Sequence, residues 1–272
     1  MYDLQPTRTD AASLGQYARL LSSVFAGVSK FSAAFLEWQY VQNPAGTVVG
    51  FDAWAPDGAL AGHYVTIPVQ YQRGGQPVRG LLSLNTATHP AHQGKGLFTQ
   101  LASRTYQAAA EAGFGFVIGV ANQNSTPGFL KKLGFSLIAP LDVQLGRGPV
   151  RYPGTVPGFS SHFSAELARW RVGCPAGRYF AAGGKLYSQT DRGLVQAMLS
   201  QRPELAAEAA PGTPWVQMWI GHAPGTRFGT LYGRLPERLK PSPLNLIYLD
   251  LQGQPTPAAD EIRFELIDFD AY

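Results

Sequence analysis

The chain has little cysteine, little charge and no long hydrophobic run. Its single cysteine, Cys174, excludes an internal disulfide framework and a cysteine-rich zinc site. No segment approaches the roughly 20 consecutive apolar residues that cross a bilayer, and the first residues lack a basic patch followed by an apolar core. We therefore expect a cytoplasmic protein that does not engage a membrane.

Charged residues make up only 15% of the 272 residues, and the net charge is +4. The basic residues are scattered rather than clustered along any predicted helix, so the electrostatic footprint of a nucleic-acid-binding protein is missing. A mild positive excess suits a small anionic ligand. Apolar residues reach 45%, which is typical of a globular chain. Sixteen arginines against six lysines, with abundant alanine, hint at a GC-rich bacterial genome.

The first half predicts an α+β arrangement. Helical spacing of apolar residues indicates helices over 11–25 and 32–40, and alternation indicates strands over 48–55, 62–72 and 78–89, joined at Asp57-Gly58 and Gly74-Gly75. A helix over 97–112 and an apolar strand over 114–120 follow, which predicts that this strand lies parallel to the strand before the helix. A helix over 126–133 and a strand over 135–145 end this half.

The Pro- and Gly-rich segment 146–157 indicates a connection, so we predict one domain over 1–147 and a second α+β domain over 148–272 that completes an acceptor cleft. The second half predicts a helix over 203–210 and strands over 179–182, 185–190, 193–199, 215–222, 230–234, 244–251 and 262–268. This order makes a degenerate copy of the first half plausible. The last two strands pair either within the chain or across a dimer, so both a monomer and a homodimer stay open.

A glycine-rich turn around Gly94-Lys95-Gly96 joins the third strand to the helix at 97. Glycines let a backbone approach a ligand, and the first N–H groups of a helix attract anions. A Walker loop would need Ser or Thr after Gly94-Lys95, but Gly96 stands there. A dinucleotide loop would need a glycine in place of Thr99 and a carboxylate after the next strand. Both nucleotide loops are therefore excluded.

The turn Gln93-x-x-Gly96-x-Phe98 resembles the Gln/Arg-x-x-Gly-x-Gly/Ala turn of GNAT acetyltransferases, although Phe98 replaces the final small residue. Leu133-Gly134-Phe135 is similar to the end of the last helix in that family. The resemblance covers about residues 1–145. It implies a mixed, mostly antiparallel sheet whose central parallel strands splay apart around the pantetheine of acetyl-CoA. Trp38-Gln39-Tyr40-x-x-Asn43-Pro44 resembles a GNAT subgroup with an additional C-terminal region.

The resemblance also implies which residues bind the cofactor, acetyl-CoA. They are Asn85, Thr86, Ala87, Thr88, Gln93, Gly94, Lys95, Gly96, Leu97, Phe98, Thr99, Asn122, Asn124 and Phe129. A backbone N–H within 85–87 would stabilise the oxyanion that forms during acyl transfer. The implied activity is transfer of an acetyl group to the amine of a small molecule or an amino sugar.

The family's usual proton-transfer groups are absent. Relatives often carry a Glu on the splayed strand, whereas residues 82–86 here do not titrate near neutrality, and the position of their Tyr acid is Leu130. The catalytic candidates are therefore Asn85, Glu37 and His63. The terminal carboxylate of Tyr272 is a further candidate base, because some multidomain relatives use theirs.

Two aromatic residues are candidates for the acceptor side. Trp38 and Tyr40 cannot point in the same direction from one helical turn, so one of them is expected to border the acceptor pocket. Two other functions stay open. The chain is an acyl-CoA-binding or sensing module without turnover, or it is a scaffold in which the Gly94–Gly96 loop is only a turn.

Overall fold

A mixed β-sheet runs through both halves of the chain in the computed structural model, which describes residues 1–190, 193–236 and 243–269. The strands of the first half are β1 (Asp3–Pro6), β2 (Val49–Trp54), β3 (Leu60–Arg73), β4 (Gln76–Thr88), β5 (Phe116–Ala121), β6 (Ser136–Pro140) and β7 (Asp142–Gly146). Its helices are α1 (Ala11–Val24), α2 (Ala33–Tyr40), α3 (Leu97–Glu111) and α4 (Thr126–Lys132).

The second half contributes shorter elements. Its helices are α5 (Ala165–Val172) and α6 (Pro203–Ala206). Its strands are β8 (Val150–Arg151), β9 (Phe159–Ser161), β10 (Tyr179–Ala182), β11 (Lys185–Gln189), β12 (Val195–Ser200), β13 (Val216–His222), β14 (Arg227–Phe228), β15 (Gly233–Arg234), β16 (Asn245–Asp250) and β17 (Ile262–Glu265). Along the main path of the sheet the order is β10-β11-β12-β13-β17-β9-β3-β4-β5-β16-β6.

Side-chain caps define where the helices near the site begin. The Asp10 carboxylate accepts hydrogen bonds from the N–H groups of Ala12 and Ser13 at 3.1 and 3.0 Å, and the Ser32 hydroxyl accepts one from the N–H of Phe35 at 3.2 Å. Such caps satisfy N–H groups that have no partner within the helix. They place α1 and α2 against one face of the sheet, whereas α3 covers the other face.

The parallel strands β4 and β5 separate part of the way along. Their pairing runs from Gly80–Phe116 to Ser83–Gly119 and stops there, although β4 continues to Thr88 and β5 to Ala121. The β3–β4 register shifts at the same level, so that Asn85 and Thr86 face the single residue Tyr64, and Asn85 has a φ of 48°. A bulge of this kind bends its strand. The expected α+β fold with splayed central strands is confirmed.

The two halves exchange strands. From the second half, β16 lies antiparallel between β5 and β6. From the first half, β7 pairs antiparallel with β13, which also pairs in parallel with β12. Thus β16 lies beside β5 of the parallel pair β4–β5 in the first half, and β7 lies beside β13 of the parallel pair β12–β13 in the second half. The 244–251 strand pairs within the chain. The domain boundary near 148 stays a prediction, and the exchanged strands pair across it.

Several predicted elements differ from the structure. The strand expected over 135–145 is two strands, because Pro140 has no N–H for the ladder and the chain passes at Leu141 from one half's sheet to the other. The helix over 203–210 ends at Ala206, and the 230–234 strand shrinks to Gly233–Arg234. The 262–268 strand ends at Glu265 and continues as a 3-10 turn. The short elements β1, β8, β9, β14 and α5 were not predicted from the sequence.

Candidate active site

The loop before α3 presents unpaired backbone N–H groups. After a 3-10 turn over Pro90–His92, Gly94 and Gly96 adopt left-handed φ values of 74° and 72°. Helix α3 then begins at Leu97, and no described side chain bonds its first N–H groups. These groups and the positive end of the helix dipole point into the turn, which is the arrangement that attracts a phosphate.

The loop leaves room for a ligand against its backbone. Gln93, Gly94, Lys95 and Gly96 are exposed. A Cβ atom added at Gly94 would meet no atom of the described residues within 4 Å. His92 accepts or donates a 2.8 Å hydrogen bond with the hydroxyl of Tyr2, which holds it beside the loop. The loop therefore fits a pyrophosphate that approaches its glycines, as the sequence predicts.

Phe98, the residue that departs from the family turn, is accommodated by α4. Its ring packs edge-on against Phe129 with centroids 5.1 Å apart, and against Tyr64 at 6.0 Å. A Cβ added at Gly128 in α4 would lie 2.9 Å from the Phe98 ring. The glycine therefore provides the space that the large side chain needs. Phe129 itself is buried in the core between Phe98 and Phe135, so it supports the Phe98 ring from behind rather than presenting its own side chain to a ligand.

Beyond β5, the side-chain oxygen of Asn122 is already engaged. It accepts hydrogen bonds from the N–H groups of Asn124 and Ser125, each at 3.0 Å, and so closes the turn into α4. Asn124 is exposed. The exchanged strand β16 supports this turn, because Asn245 donates to the Thr126 hydroxyl at 3.0 Å. For the predicted cofactor contact, the Asn122 oxygen is less available than the Asn124 side chain.

A buried hydrogen-bonded chain of side chains leads to the bulge in β4. The Asp52 carboxylate lies 2.6 Å from Nδ1 of His63, Nε2 of His63 lies 3.0 Å from the Tyr40 hydroxyl, and that hydroxyl lies 3.0 Å from Nδ2 of Asn85. Asn85 Nδ2 also donates to Oε1 of Gln39 at 2.6 Å. We call Asp52, His63, Tyr40 and Asn85 the Asp52–Asn85 chain.

The direction of each hydrogen bond in this chain follows from its ionised end. A carboxylate only accepts, so Nδ1 of His63 donates to Asp52, and in a neutral imidazole Nε2 is then the acceptor. The Tyr40 hydroxyl therefore donates to Nε2, and its oxygen accepts from Asn85. Tyr17 closes the other end, since its hydroxyl donates to Asp52 at 2.6 Å and its ring stacks on His63 with centroids 4.3 Å apart. Burial raises the pKa of Tyr17, and the charge of Asp52 adds to this effect.

A mainly apolar cavity of about 50 Å³ lies on the α2 face of the sheet, next to Gln39. It lies between the halves and is lined by Trp38, Gln39, Leu82, Phe163, Trp170 and Phe269, among others. Trp38 and Trp170 stack with centroids 4.7 Å apart, and each indole N–H donates to the other's backbone carbonyl at 2.9 Å. This reciprocal pair fixes one wall of the cavity.

Two buried polar groups border the same cavity. The hydroxyl of Tyr71 has no hydrogen-bond partner among the described residues, and burial raises the pKa of Tyr71 well above its usual range. The carboxyl of Asp268 accepts a hydrogen bond from Ser161 and one from the N–H of Glu265 at 2.7 Å. Burial raises the pKa of Asp268, while the charge of Arg202 acts against this rise. The cavity thus has apolar walls and one hydroxyl without a partner.

The structure brings three of the sequence candidates together. Asn85, His63 and Tyr40 belong to one chain of hydrogen bonds, and Trp38 borders the cavity, whereas Tyr40 is fully buried behind Asn85. Glu37 is not brought to this site, because its position on α2 faces solvent. Tyr272 lies outside the described residues.

The sequence reasoning missed Asp52 and Gln39. For Asp52 a signal existed, because the predicted hairpin turn at Asp57-Gly58 places Asp52 opposite His63, as the register shows. Two facing polar residues inside apolar strands indicate a buried pair. No comparable signal marked Gln39, since its contact with Asn85 depends on how α2 packs on the sheet.

Comparison with known proteins agrees with this geometry. Residues 6–138, just under half of the chain, match the model of an acetyltransferase (GNAT) domain, which confirms the resemblance to the GNAT family over the first half. Acyl transfer is the general chemistry of this family, and acetyl-CoA is its cofactor, which confirms the expected cofactor. No curated protein matches the sequence significantly.

Solved structures with a similar fold extend over both halves. A probable N-acyltransferase from Enterococcus faecalis shares 8% identity, with a TM-score of 0.62, over 93% of this chain and 73% of its own. A GCN5-related N-acetyltransferase from Anabaena variabilis shares 10% identity, with a TM-score of 0.56, over 92% and 73%. Eis1 from Mycobacterium abscessus shares 11%, with a TM-score of 0.51, over 86% and 73%. At these identities the likeness concerns the fold.

Within the described ranges, no helix combines the length and apolar character that a membrane crossing requires.

Proposed function

We propose that the protein transfers an acetyl group from acetyl-CoA to the amine of a small molecule, an amino sugar being one candidate class. The observation that carries this proposal is the gap between β4 and β5 beyond Ser83–Gly119, which opens beside the uncapped start of α3. A pantetheine chain in this gap would replace the missing strand partner. The glycine loop would hold the pyrophosphate through its backbone N–H groups.

The chemistry is a nucleophilic substitution at the thioester carbon. The lone pair of a neutral amine attacks the carbonyl carbon, and an N–C bond forms as the C–S bond breaks. The proton that the nitrogen loses passes to the departing sulfur through water, giving the amide and coenzyme A thiol. Backbone N–H groups of β4 past the bulge, around Asn85–Ala87, have lost the β5 partner and would stabilise the oxyanion.

The acceptor would approach from the α2 face. Asn85 points to this face through its contacts with Gln39 and Tyr40, and Gln39 also lines the apolar cavity beside Trp38. A cavity of about 50 Å³ suits a slender apolar group rather than a bulky one. We infer an acceptor that carries a short apolar portion, held by a cytoplasmic enzyme that acts as a monomer or homodimer.

The first experiment is a calorimetric titration of acetyl-CoA into the wild type and two variants. Gly94→Asp places a carboxylate in the loop, opposite the pyrophosphate. Gly75→Asp is the matched control, because Gly75 also has a left-handed φ, 79° against 74°, and open space around a new Cβ. It lies at the other end of β4. We expect roughly tenfold or weaker binding for Gly94→Asp, which corresponds to about 1.4 kcal/mol, and wild-type binding for the control.

Thiol release then separates the enzyme from the alternative. An enzyme releases coenzyme A thiol only when a suitable amine is added, whereas an acyl-CoA-binding or sensing module binds acetyl-CoA and releases no thiol with any amine of a broad panel. If the wild type does not bind acetyl-CoA, both readings are overturned and the loop is an ordinary glycine turn.

A further inference from the structure

The Asp52–Asn85 chain is a set of mostly buried polar side chains that makes no hydrogen bond to the cofactor loop. Asp52 is 1% exposed, and His63 and Tyr40 are fully buried. Burying a carboxylate and an imidazole is costly unless both are hydrogen-bonded, and apolar side chains would fill the same volume at lower cost. The polar side-chain atoms of Asp52, His63 and Tyr40 all have hydrogen-bond partners, and the series ends at Asn85, the one member that is partly exposed.

The hydrogen bonds fix how the Asn85 carboxamide is turned. The hydrogen of the Tyr40 hydroxyl is used on His63, so the Tyr40 oxygen can only accept from Asn85, and that requires the amide nitrogen. The nitrogen donates its second hydrogen to Gln39. Both hydrogens of Nδ2 therefore face α2. The Oδ1 atom is left over, and no residue in the described ranges bonds it.

We propose that Asp52, His63 and Tyr40 are positioning residues that hold Asn85 so that its Oδ1 accepts an N–H hydrogen bond from the acceptor amine. This inference rests on the proposed function. A neutral primary amine has two N–H groups, and anchoring one of them directs the nitrogen lone pair at the thioester carbon. Asn85 takes no proton in this role. Its contribution is orientation, and a displacement of about 1 Å in such a group can lower the rate by about a hundredfold.

The structure offers a matched pair of substitutions. Tyr40 and Tyr17 are both fully buried, and each hydroxyl donates one hydrogen bond to the Asp52–His63 pair. Only Tyr40 lies between that pair and Asn85. Tyr17→Phe also leaves the N–H of Arg8 without the hydroxyl that it bonds at 3.0 Å, so it should destabilise the fold at least as much.

The first test compares the steady-state kinetics of the two variants, with an amine that the wild type acetylates as the substrate. We expect Tyr40→Phe to lower kcat by about tenfold to a hundredfold with little change in KM for acetyl-CoA, because orientation of the amine is lost. Tyr17→Phe should stay within about twofold of the wild type. Equal losses in the two variants would show that the chain is only structural and would overturn the proposal.

Two further variants test the route through Asn85. In an Asn85→Ala background, Tyr40→Phe should have no additional effect on kcat, since the group that Tyr40 positions is gone. His63→Gln keeps an acceptor oxygen near the place of Nε2, so it should retain more activity than His63→Ala. Additive losses in the double variant would contradict the proposal.

A readout without turnover separates this inference from the proposed function. The side-chain amide signals of Asn85 in a nitrogen-15 spectrum, assigned by their loss in Asn85→Ala, report the two Nδ2 hydrogen bonds. We expect slow hydrogen exchange in the wild type and in Tyr17→Phe, and faster exchange in Tyr40→Phe. If exchange behaves in this way but no amine is acetylated, the proposed function fails while the positioning stands. Unchanged exchange in Tyr40→Phe would overturn the positioning.

Discussion

At the scale of single residues, two buried tyrosines near the site differ in whether their hydroxyls are hydrogen-bonded. Tyr64 lies beside the splay and shares its hydroxyl with Ser83, at 2.8 Å, and with Tyr106. Burial raises the pKa of Tyr64 to about 12, so it stays neutral at physiological pH. Tyr71 is equally buried but has no described partner. A buried hydroxyl without a partner is a cost that a bound ligand could remove.

This contrast predicts opposite effects of the same substitution. Tyr71→Phe should leave the free energy of unfolding unchanged or raise it by up to about 1 kcal/mol, because an unsatisfied group is removed. Tyr64→Phe should lower it by about 1–2 kcal/mol, since two hydrogen bonds are lost. Denaturant unfolding of both variants measures the difference. A loss of more than about 1 kcal/mol in Tyr71→Phe would mean that its hydroxyl has a partner in solution.

At the scale of elements, α3 and α4 fit each other through Phe98 and Gly128. The large residue occupies a position where the family turn has a small one, and the glycine on the facing helix leaves space for its ring. The two helices flank the predicted cofactor, so their spacing affects both stability and binding. A substitution that fills this space should therefore change both.

We expect Gly128→Ala to weaken acetyl-CoA binding and to lower stability by about 1 kcal/mol relative to Gly15→Ala. The control is also a glycine inside a helix, but its new Cβ would meet only Arg19 at 3.7 Å, an ordinary contact. Replacing glycine by alanine in a helix otherwise stabilises by about 0.5–1 kcal/mol. Calorimetry and denaturant unfolding measure the two effects. An equal gain of stability in both variants would contradict this prediction, because it would mean that the Phe98 ring can move away from a Cβ at position 128 without cost.

Much of this local arrangement could be predicted from the sequence, and the reason is that it is local. The helix caps, the hairpin turns and the glycine loop depend on residues a few positions apart, so α3 and β4 were expected where they occur. The splay was expected only from the resemblance of the loop to the GNAT turn. Gly128 and Gln39 could not be placed, because their contacts arise from helices that meet in space. The short elements β9 and α5 were missed since three to eight residues carry too little periodicity.

At the scale of the whole molecule, the strand exchange ties the halves together. The outer neighbour of β5 comes from residues 245–250, and the outer neighbour of β13 comes from residues 142–146. The sequence predicted a strand over 244–251, and predicted the second strand only as part of a single strand over 135–145. It did not predict the partners of either, since two halves with a similar order of elements permit either pairing. The Trp38–Trp170 pair adds a second link.

This exchange predicts that the first half does not fold alone. A chain that ends at residue 147 leaves the edge of β5 open along six residues and lacks the partner of β7. Exposed edges of this kind promote aggregation. We expect residues 1–147 to be insoluble or to unfold without cooperativity, and to become soluble when residues 148–272 are coexpressed. A soluble, cooperatively folded 1–147 fragment that binds acetyl-CoA would contradict this expectation.

The position of β16 also has a consequence for synthesis of the protein. On the ribosome, β5 emerges more than a hundred residues before the strand that lies beside it. At about 5–20 residues per second, the first sheet waits roughly 6–25 seconds with an unpaired edge. The half that carries the acetyl-CoA loop is therefore made first, but its sheet is completed only when β16 has been made. A ribosome that stalls before residue 245 leaves this half with β5 unpaired along its outer edge.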